Sequence, residues 1–590
     1  MCAICGIFGA SNEEAIHKMM EVMKPRGPDG MGVHIDADIS LGVHRLSIVD
    51  SKNGDQPIFN ETRETCILFN GEVYNYKPLR EELVNNGHQF STETDTEVVL
   101  HLFEEYGEQC VDLLKGMFAF AIWDGQKLFL ARDRMGIKPL FYTFLPTEGL
   151  FIFGSEIKSI FQYDKVPRTI NEKALCEQSV LGYILSSDLT LFEGIKQLCP
   201  GTTMSISKNR HKNKIDLCIK QYYRLKIPAP SNESAGDQEI KEMINLLQNE
   251  LEETSKLFVS HSELPKGVLL SGGLDSSLLA ILCAKHSPIP LHTFSVADSL
   301  EHLDLEYARK VSQFINSKHH EIIIDFDEFL NELPNFVLAY ENLSRGGTFN
   351  PFGDFGFYLL SKRASKFVKV AICGEGADEL FGGYWMHKYP VGYSGRLKEN
   401  LESFNPSNPF VCELKEDLKK WFPDDINREL YAQNVLDFLL RSAETNYHLW
   451  AVDHGSMPHG LEVRVPYLYE DIVQMVIKFP SKVKIHNGTT KYILRKVADK
   501  YFEEKGLQNI LSREKLALPS GFTNLSKKLA SFCEMLIPDK YYNEHQFRQY
   551  LHSKVDVLMF DMLYKIFIDN GGKLPNGFRV NNIYQFEDIK

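Results

Sequence analysis

The hydrophobic pattern changes period part-way along the chain. Up to about residue 205 it is a succession of short apolar runs broken by glycine and polar turns (ICGIFGA, SLGVHRLSIVD, TCILFNGEVYN, FAFAIWD, KLFLARD, GLFIFGSE), with helical stretches near 12–24 and 94–106. Runs of this length and composition predict strands, and so many of them predict layered sheets. The polar stretches KNRHKNK and IPAPSNESAGDQE then read as a hairpin turn and a linker. From about residue 239 strands and helices alternate: GVLL, SSLLAILCAK, LHTFSV, LEYARKVSQFIN, HHEIIID, VKVAICG. Such alternation predicts a parallel, doubly wound sheet. Residues 395–590 read as mostly helical and rich in aromatics. The expected division is 1–208, a linker at 209–238, and 239–590.

Composition removes several classes of function. With 65 basic and 79 acidic residues the formal charge is −14, and no Lys/Arg run offers the phosphate-neutralising surface of a nucleic-acid binder. No window approaches the roughly 18 apolar residues that span a bilayer, so the expectation is a cytoplasmic protein with no membrane partner. In that compartment most of the 11 cysteines should be reduced thiols, as Cys66 and Cys283 in apolar runs suggest.

Three stretches carry chemistry. In GVLLSGGLDSS (267–277) a buried strand ends in Ser271, Gly272 and Gly273 before a helix begins. Glycines let backbone amides approach an anion, and the helix N-terminus favours negative charge there. Asp275 adds a hard oxygen suited to magnesium. In CGEGADELFGGY (373–384), Glu375, Asp378 and Glu379 lie on a glycine-rich turn at the end of a later strand. In a doubly wound sheet both turns fall at the carboxyl ends of strands, where ligands bind. Taken alone, glycine turns and acids facing water would explain either stretch.

The third stretch is the opening MCAICG. A redox pair needs a strand before it and a helix after it, and a structural zinc site needs a second ligand pair; the sequence supplies neither. Removal of Met1 would leave Cys2 with a thiol and a free α-amine that serves as its own base. Cys5, internal to the run, reads as a buried strand residue.

These motifs together resemble the glutamine-hydrolysing asparagine synthetases. MCAICGIFG, RGPDG (26–30), HRLSIVD (44–50), FNGEVYN (69–75), TDTE (94–97), ARDRMGIKPLFY (131–142) and GSEIKSI (154–160) match the glutamine amidotransferase part, and SGGLDSS with GEGADELFGGY matches the pyrophosphatase-loop part. The resemblance implies a layered αββα N-terminal-nucleophile domain, then an adenine nucleotide α-hydrolase-like parallel-sheet domain with a helical C-terminal part. Cys2 would attack the glutamine amide, with Asn70 and the Gly71 amide as oxyanion donors. Arg45 would hold the substrate carboxylate, and Asp95, with Glu72 nearby, its amine. Leu269, Val296 and Gly374 would hold adenosine, with Ser271, Gly272, Gly273 and Ser276 on the phosphates. Asp275 and Asp378 would bind Mg2+ and pyrophosphate, Glu375 would be the general base, and Lys491 in TTKYILRK would neutralise phosphate charge. ATP, glutamine and a carboxylic acid acceptor, L-aspartate first, are the implied partners, in a possible homodimer. The alternatives are the same machine amidating another carboxylate and a scaffold that keeps the fold without the chemistry. LEVRVPYLY resembles a substrate-facing stretch of the family, but Tyr469 stands where aspartate is usual and His454 where Arg or Lys is usual. With ENLSRGGTFNPFGDFGFY at 341–358, these departures are expected to reshape the acceptor pocket.

Overall fold

Parity along two strands explains the architecture of the first half. Strand Cys2–Phe8 is buried along its whole length, with Ala3, Cys5 and Ile7 packing to one side and Cys2, Ile4 and Phe8 to the other. Strand Cys66–Val73 divides likewise, Cys66 and Leu68 inward and Ile67, Phe69 and Val73 outward. The even-numbered faces meet in a core between two sheets, and each aliphatic side chain buried there contributes about 1.5–3 kcal/mol.

In this computed structural model, which describes residues 2–209, 214–228, 236–344, 351–423, 428–503, 507–513 and 521–584, both sheets are antiparallel and six-stranded. The first runs Lys196–Gln197, Phe141–Leu145, Leu150–Gly154, Cys2–Phe8, Ile39–Arg45, Gly30–Asp36. The second runs Lys214–Gln221, Thr202–Asn209, Lys127–Arg132, Gly116–Trp123, Cys66–Val73, Ile58–Phe59. The strands on either side of KNRHKNK pair in this sheet, Asn209 opposite Lys214, and residues 210–213 themselves lie outside the described residues. Helix Glu13–Glu21, capped by the Asn12 side chain on Ala15 N at 3.0 Å, covers the first sheet. Helices Tyr76–Asn85 and Asp95–Tyr106 cover the second through Leu83, Val98, Val99 and Leu102. The layers are helix, sheet, sheet, helix.

The second half holds a five-stranded sheet in the order Lys318–Ile323, His292–Ala297, Lys266–Leu269, Val370–Ile372, Glu462–Arg464, all parallel. Helices Leu274–His286 and Leu303–Phe314 connect its first strands, and the chain beyond Pro390 is mostly helical. Among the described residues no helix is long and apolar enough to cross a membrane.

Buried ion pairs tie the halves together. Arg26 reaches Asp453 at 2.7 Å and Glu156 at 3.3 Å, and Lys158 reaches Glu156 at 2.6 Å and Glu341 at 3.4 Å. Charges this far from water are tolerated only when matched, so these pairs fix one relative placement of the halves.

Candidate active site

The first site lies where the two antiparallel sheets open. Register puts Cys2 directly opposite Arg45, and Asn70 faces inward by the parity of its strand. Cys2 N donates to Asn70 Oδ1 at 3.1 Å, and Gln56 Nε2 lies 3.5 Å from Cys2 Sγ. Asn70 is wholly buried, and its Nδ2 meets no acceptor among the described residues. A buried amide donor left unused costs stability, and this one lies beside the thiol. Gly71 has no substitute, because a Cβ there would sit 2.2 Å from Met117 O. Burial pushes the Cys2 thiol up, while the positive chain terminus and Arg45 oppose it. The Arg45 guanidinium is aimed by Asp55 at 3.1 Å and by the carbonyls of Val49 and Asp50 at 3.1 and 2.6 Å.

Asp95 opens helix Asp95–Tyr106 after the N-cap Thr94 and accepts Val73 N at 2.8 Å. Burial raises its carboxyl above the usual aspartate range, and Glu72 adds to the rise. Glu72 itself is engaged from the other half, by His261 Nε2 at 2.5 Å and Arg464 at 3.4 Å. It is drawn toward the interface as well as toward Asp95.

The second site lies at the carboxyl edge of the parallel sheet. Leu270 N donates to Phe294 O at 2.8 Å, which keeps the ends of the strands bearing Leu269 and Val296 side by side. Gly272 has φ +68, and a Cβ would meet Ala308 N at 2.6 Å, so the turn demands glycine. Ser276 Oγ accepts Ser271 N at 3.2 Å, and Arg513 donates to Gly272 O at 3.1 Å. Gly374 closes on the same turn, its Cβ position 3.3 Å from Asp275 Cβ. Lys491, 4% exposed, bridges Asp275 at 2.5 Å and Asp378 at 2.6 Å. Burial works against its charge, but the two carboxylates outweigh burial and hold it protonated. Two acidic side chains converging beside a glycine turn are a donor set for a hard divalent cation. Gly383 makes room for the pair, because a Cβ there would lie 1.8 Å from Asp378 Oδ1 and 2.2 Å from Lys491 Cε.

The residues of the chain match two family models, Glutamine amidotransferase domain over 1–223 and Asparagine synthase over 247–563. The chain is 30% identical over 574 residues to asparagine synthetase [glutamine-hydrolyzing] 1 of Bacillus subtilis (strain 168), covering 88% of this chain and 87% of that one. It is also 30% identical to asparagine synthetase 3 of the same strain, over 88% and 87%, and 28% identical to asparagine synthetase 2 of Arabidopsis thaliana, over 88% and 79%. The chain belongs to the glutamine-hydrolysing asparagine synthetase family.

Beside Glu375 this member of the asparagine synthetase family carries a cluster that the sequence reading passed over. His448 lies 3.2 Å from Glu375 and 3.1 Å from Glu379, and Tyr384 OH donates to Glu379 at 2.5 Å. Glu444, wholly buried, is raised above the usual carboxylate range first by burial and then by Glu379 and Glu375. Glu444 and His448 share one face of a π-helix, Leu439–Leu449, a form frequent at functional sites. The available signal was an acid and a histidine four residues apart, Glu444 and His448, in a helix of mixed polarity.

The family stretch LEVRVPYLY lies against the first half of the chain at Arg464 and Tyr469 and lines a cavity through Val465, Leu468 and Tyr469. Arg464 donates to Glu462 at 2.5 Å and Phe258 O at 3.1 Å and points to Glu72 across the interface. Tyr469 packs on Tyr74 and Phe258, with ring centres 5.9 Å away in each case. His454 stacks on Trp450 at 4.5 Å and lies 3.6 Å from Glu341. Tyr469 thus meets the first half through Tyr74 and also lines a cavity, while His454 is buried against Trp450, Glu341 and, from the first half, Phe141. Residues 345–350 of the aromatic loop lie outside the described residues.

Between the sites lies a small cavity of about 20 Å³, walled by Met117, Met135, Ile137, Val465, Leu468 and Tyr469 among others. Met117 is the neighbour that Gly71 accommodates, and Leu468 packs within 2.4 Å of where a Gly376 Cβ would stand. One wall therefore backs the Cys2 site and another backs the Glu375 turn.

Proposed function

We propose that the chain hydrolyses glutamine at Cys2 and passes the ammonia to a carboxylate adenylated with ATP in the second half, with L-aspartate as acceptor and L-asparagine as product. The observation that carries the reading is the bridged pair Asp275 and Asp378 at the strand edge, in a chain whose other site sets Cys2 beside Asn70, whose amide donor is unused among the described residues.

At the first site, once Met1 is removed, the α-amine of Cys2 takes the thiol proton and the thiolate attacks the glutamine amide carbon, with Asn70 Nδ2 and the Gly71 amide receiving the developing oxyanion; the C–N bond then breaks, ammonia leaves with the proton returned by the α-amine, and water frees glutamate from the thioester. Arg45 holds the α-carboxylate of glutamine, for which its planar fork is suited. Asp95, once ionised, holds the α-amine, and the charge of Glu72 sets how readily it ionises. At the second site the amides of Ser271, Gly272 and Gly273 and the hydroxyl of Ser276 cradle the ATP phosphates, while the backbone at Leu269, Val296 and Gly374 receives the adenosine. Asp275 and Asp378 would hold Mg2+, which supplies charge neutralisation on the phosphates when bound. Lys491 shares that task through its own charge. The acceptor carboxylate displaces pyrophosphate, ammonia displaces AMP, and Glu375, oriented by His448, removes the surplus proton. The cavity backed by Met117 and Leu468 is the route we assign to ammonia, since ammonia released into neutral water is mostly protonated.

The test is isotope exchange between pyrophosphate and ATP, run with L-aspartate beside other carboxylic acids. Exchange that requires aspartate, followed by asparagine formation with glutamine, supports the reading; exchange only with another acid overturns the acceptor and keeps the chemistry.

A further inference from the structure

Away from both sites, four side chains converge on the outer side of the second antiparallel sheet. Glu61 lies in the turn after strand Ile58–Phe59, His88 follows helix Tyr76–Asn85, and His101 and Glu104, three residues apart, share a face of helix Asp95–Tyr106. His88 Nδ1 is 3.8 Å from a carboxylate oxygen of Glu61 and 3.8 Å from Glu104 Oε2. His101 Nδ1 is 3.9 Å from the other oxygen of Glu61 and 2.7 Å from the same Glu104 oxygen. One ligand atom from each of the four lies within 4.8 Å of all the others. Both imidazoles thus turn the same nitrogen to one shared point. We propose that Glu61, His88, His101 and Glu104 bind one zinc ion, through Nδ1 of each histidine and one oxygen of each glutamate.

The groups behind these four favour a metal over plain ion pairing. His88 turns its Nε2 to Glu105 at 3.0 Å, and His101 turns its Nε2 toward Glu97 at 3.8 Å. Glu97 is in turn pinned by the amides of Ser91 and Thr92 at 2.8 and 2.7 Å. Asn60 Nδ2 holds the second oxygen of Glu104 at 2.6 Å, and Gln89 N holds Glu61 at 2.9 Å. A carboxylate hydrogen-bonded to the far nitrogen, as Glu105 is at His88, is the support that metal-bound imidazoles use to fix ring and tautomer, and Glu97 stands on the same side of His101 at the longer distance. Charge points the same way. Four carboxylates surround two imidazoles, so a zinc ion that takes the place of the two Nδ1 protons enters a field with a surplus of negative charge.

Two nitrogens with two oxygens select zinc over magnesium or calcium, which prefer all-oxygen shells. Zinc bonds of about 2.0–2.1 Å set neighbouring ligands roughly 3.4 Å apart in a tetrahedron, and the observed separations of 2.7 to 3.9 Å bracket that value. Glu61, 37% exposed, leaves one side open for entry, while His101 forms the closed floor. Bound zinc would join the turn at Glu61 and the turn at His88 to the helix that begins with Asp95.

The experiment takes the full chain stripped with a chelator and titrates it with zinc, and separately with cobalt(II) as a visible probe. We expect one equivalent of zinc bound at sub-micromolar affinity, the intense visible absorption of four-coordinate cobalt, and a Tm raised by zinc. His88→Gln and Glu104→Gln should each weaken zinc binding at least 100-fold and abolish the cobalt band, with circular dichroism unchanged. Glu61→Gln, at the exposed position, gives the same reading should either of those fail to fold. Acidic and histidine side chains also meet near Glu375 and near Glu72, so zinc binding that persists undiminished in these variants would falsify the proposal, as would a parent chain that binds no zinc.

Discussion

Glu72 and Arg464 come from opposite halves of the chain and stand 3.4 Å apart with 3% and 0% of their side chains exposed. Burial alone would raise the Glu72 carboxyl, but Arg464 and His261 outweigh it and hold it below the usual carboxylate range. Because Asn70 lies two residues away on the same strand face, the interface and the glutamine site share a structural element.

Removing Arg464 takes a cation from two buried carboxylates, Glu72 and Glu462, and leaves Glu72 to His261. Arg464→Met should lower stability by about 3–5 kcal/mol, read from urea unfolding. Adding Glu72→Gln should restore much of the loss. Additive effects in the double variant would rule out a direct coupling.

At the glutamine site, Cys2→Ala should abolish glutamine hydrolysis and leave synthesis from ammonium salts nearly intact. Cys5 donates only to Gly42 O at 3.6 Å and is pushed up by burial, so Cys5→Ala should leave hydrolysis near the parent rate. Asn70→Ala should lower kcat for hydrolysis by about 10²- to 10³-fold; a drop confined to KM would count against its oxyanion role.

The raised Asp95 carboxyl has consequences in two directions. Burial and Glu72 keep it protonated in the folded chain at pH values where the unfolded chain ionises it. Its contribution to stability is therefore complete below the ordinary aspartate range and is lost as pH rises through the higher folded value. Holding the glutamine amine needs the ionised form, so kcat/KM for hydrolysis should climb over that same window. Glu72→Gln removes the like charge and should move the acid limb to lower pH, as a pH profile of the two proteins will report.

In the second half, Lys491→Met leaves Asp275 and Asp378 facing one another without their shared cation. Exchange of pyrophosphate into ATP should fall by at least about 10²-fold, with glutamine hydrolysis unchanged. Gly383→Ala should reproduce the loss, since its methyl would occupy the space of Asp378 Oδ1 and Lys491 Cε. Normal exchange in Gly383→Ala would mean that the lysine bridge is dispensable.

Much of this arrangement is written locally and was legible as such. Alternation of two residues gave the strands around Cys2 and Asn70, and glycine turns at Gly272 and Gly376 marked the carboxyl edge of the parallel sheet. What escaped reading depends on long-range approach. Gln56 reaches Cys2 across 54 positions, and Arg464 reaches Glu72 from the far half of the chain; no spacing announces such contacts. Glu444 and His448 were hidden differently, inside a segment that reads as ordinary helix until its widened turn brings both to Glu375. Tyr469 and His454, expected to reshape the acceptor pocket, are both buried beside the first half, Tyr469 also lining a cavity; a departure from a family pattern does not say which surface it faces.

Lys491 occupies left-handed backbone, with φ +53 and ψ +33, at the start of helix Tyr492–Phe502. Glycine is the usual remedy for such a conformation, and here it would delete the cation that Asp275 and Asp378 enclose. The position therefore lies on a frontier where greater robustness and turnover exclude one another. Screens for heat-tolerant variants should enrich Gly or Asn at 491 only in populations relieved of the need to make product.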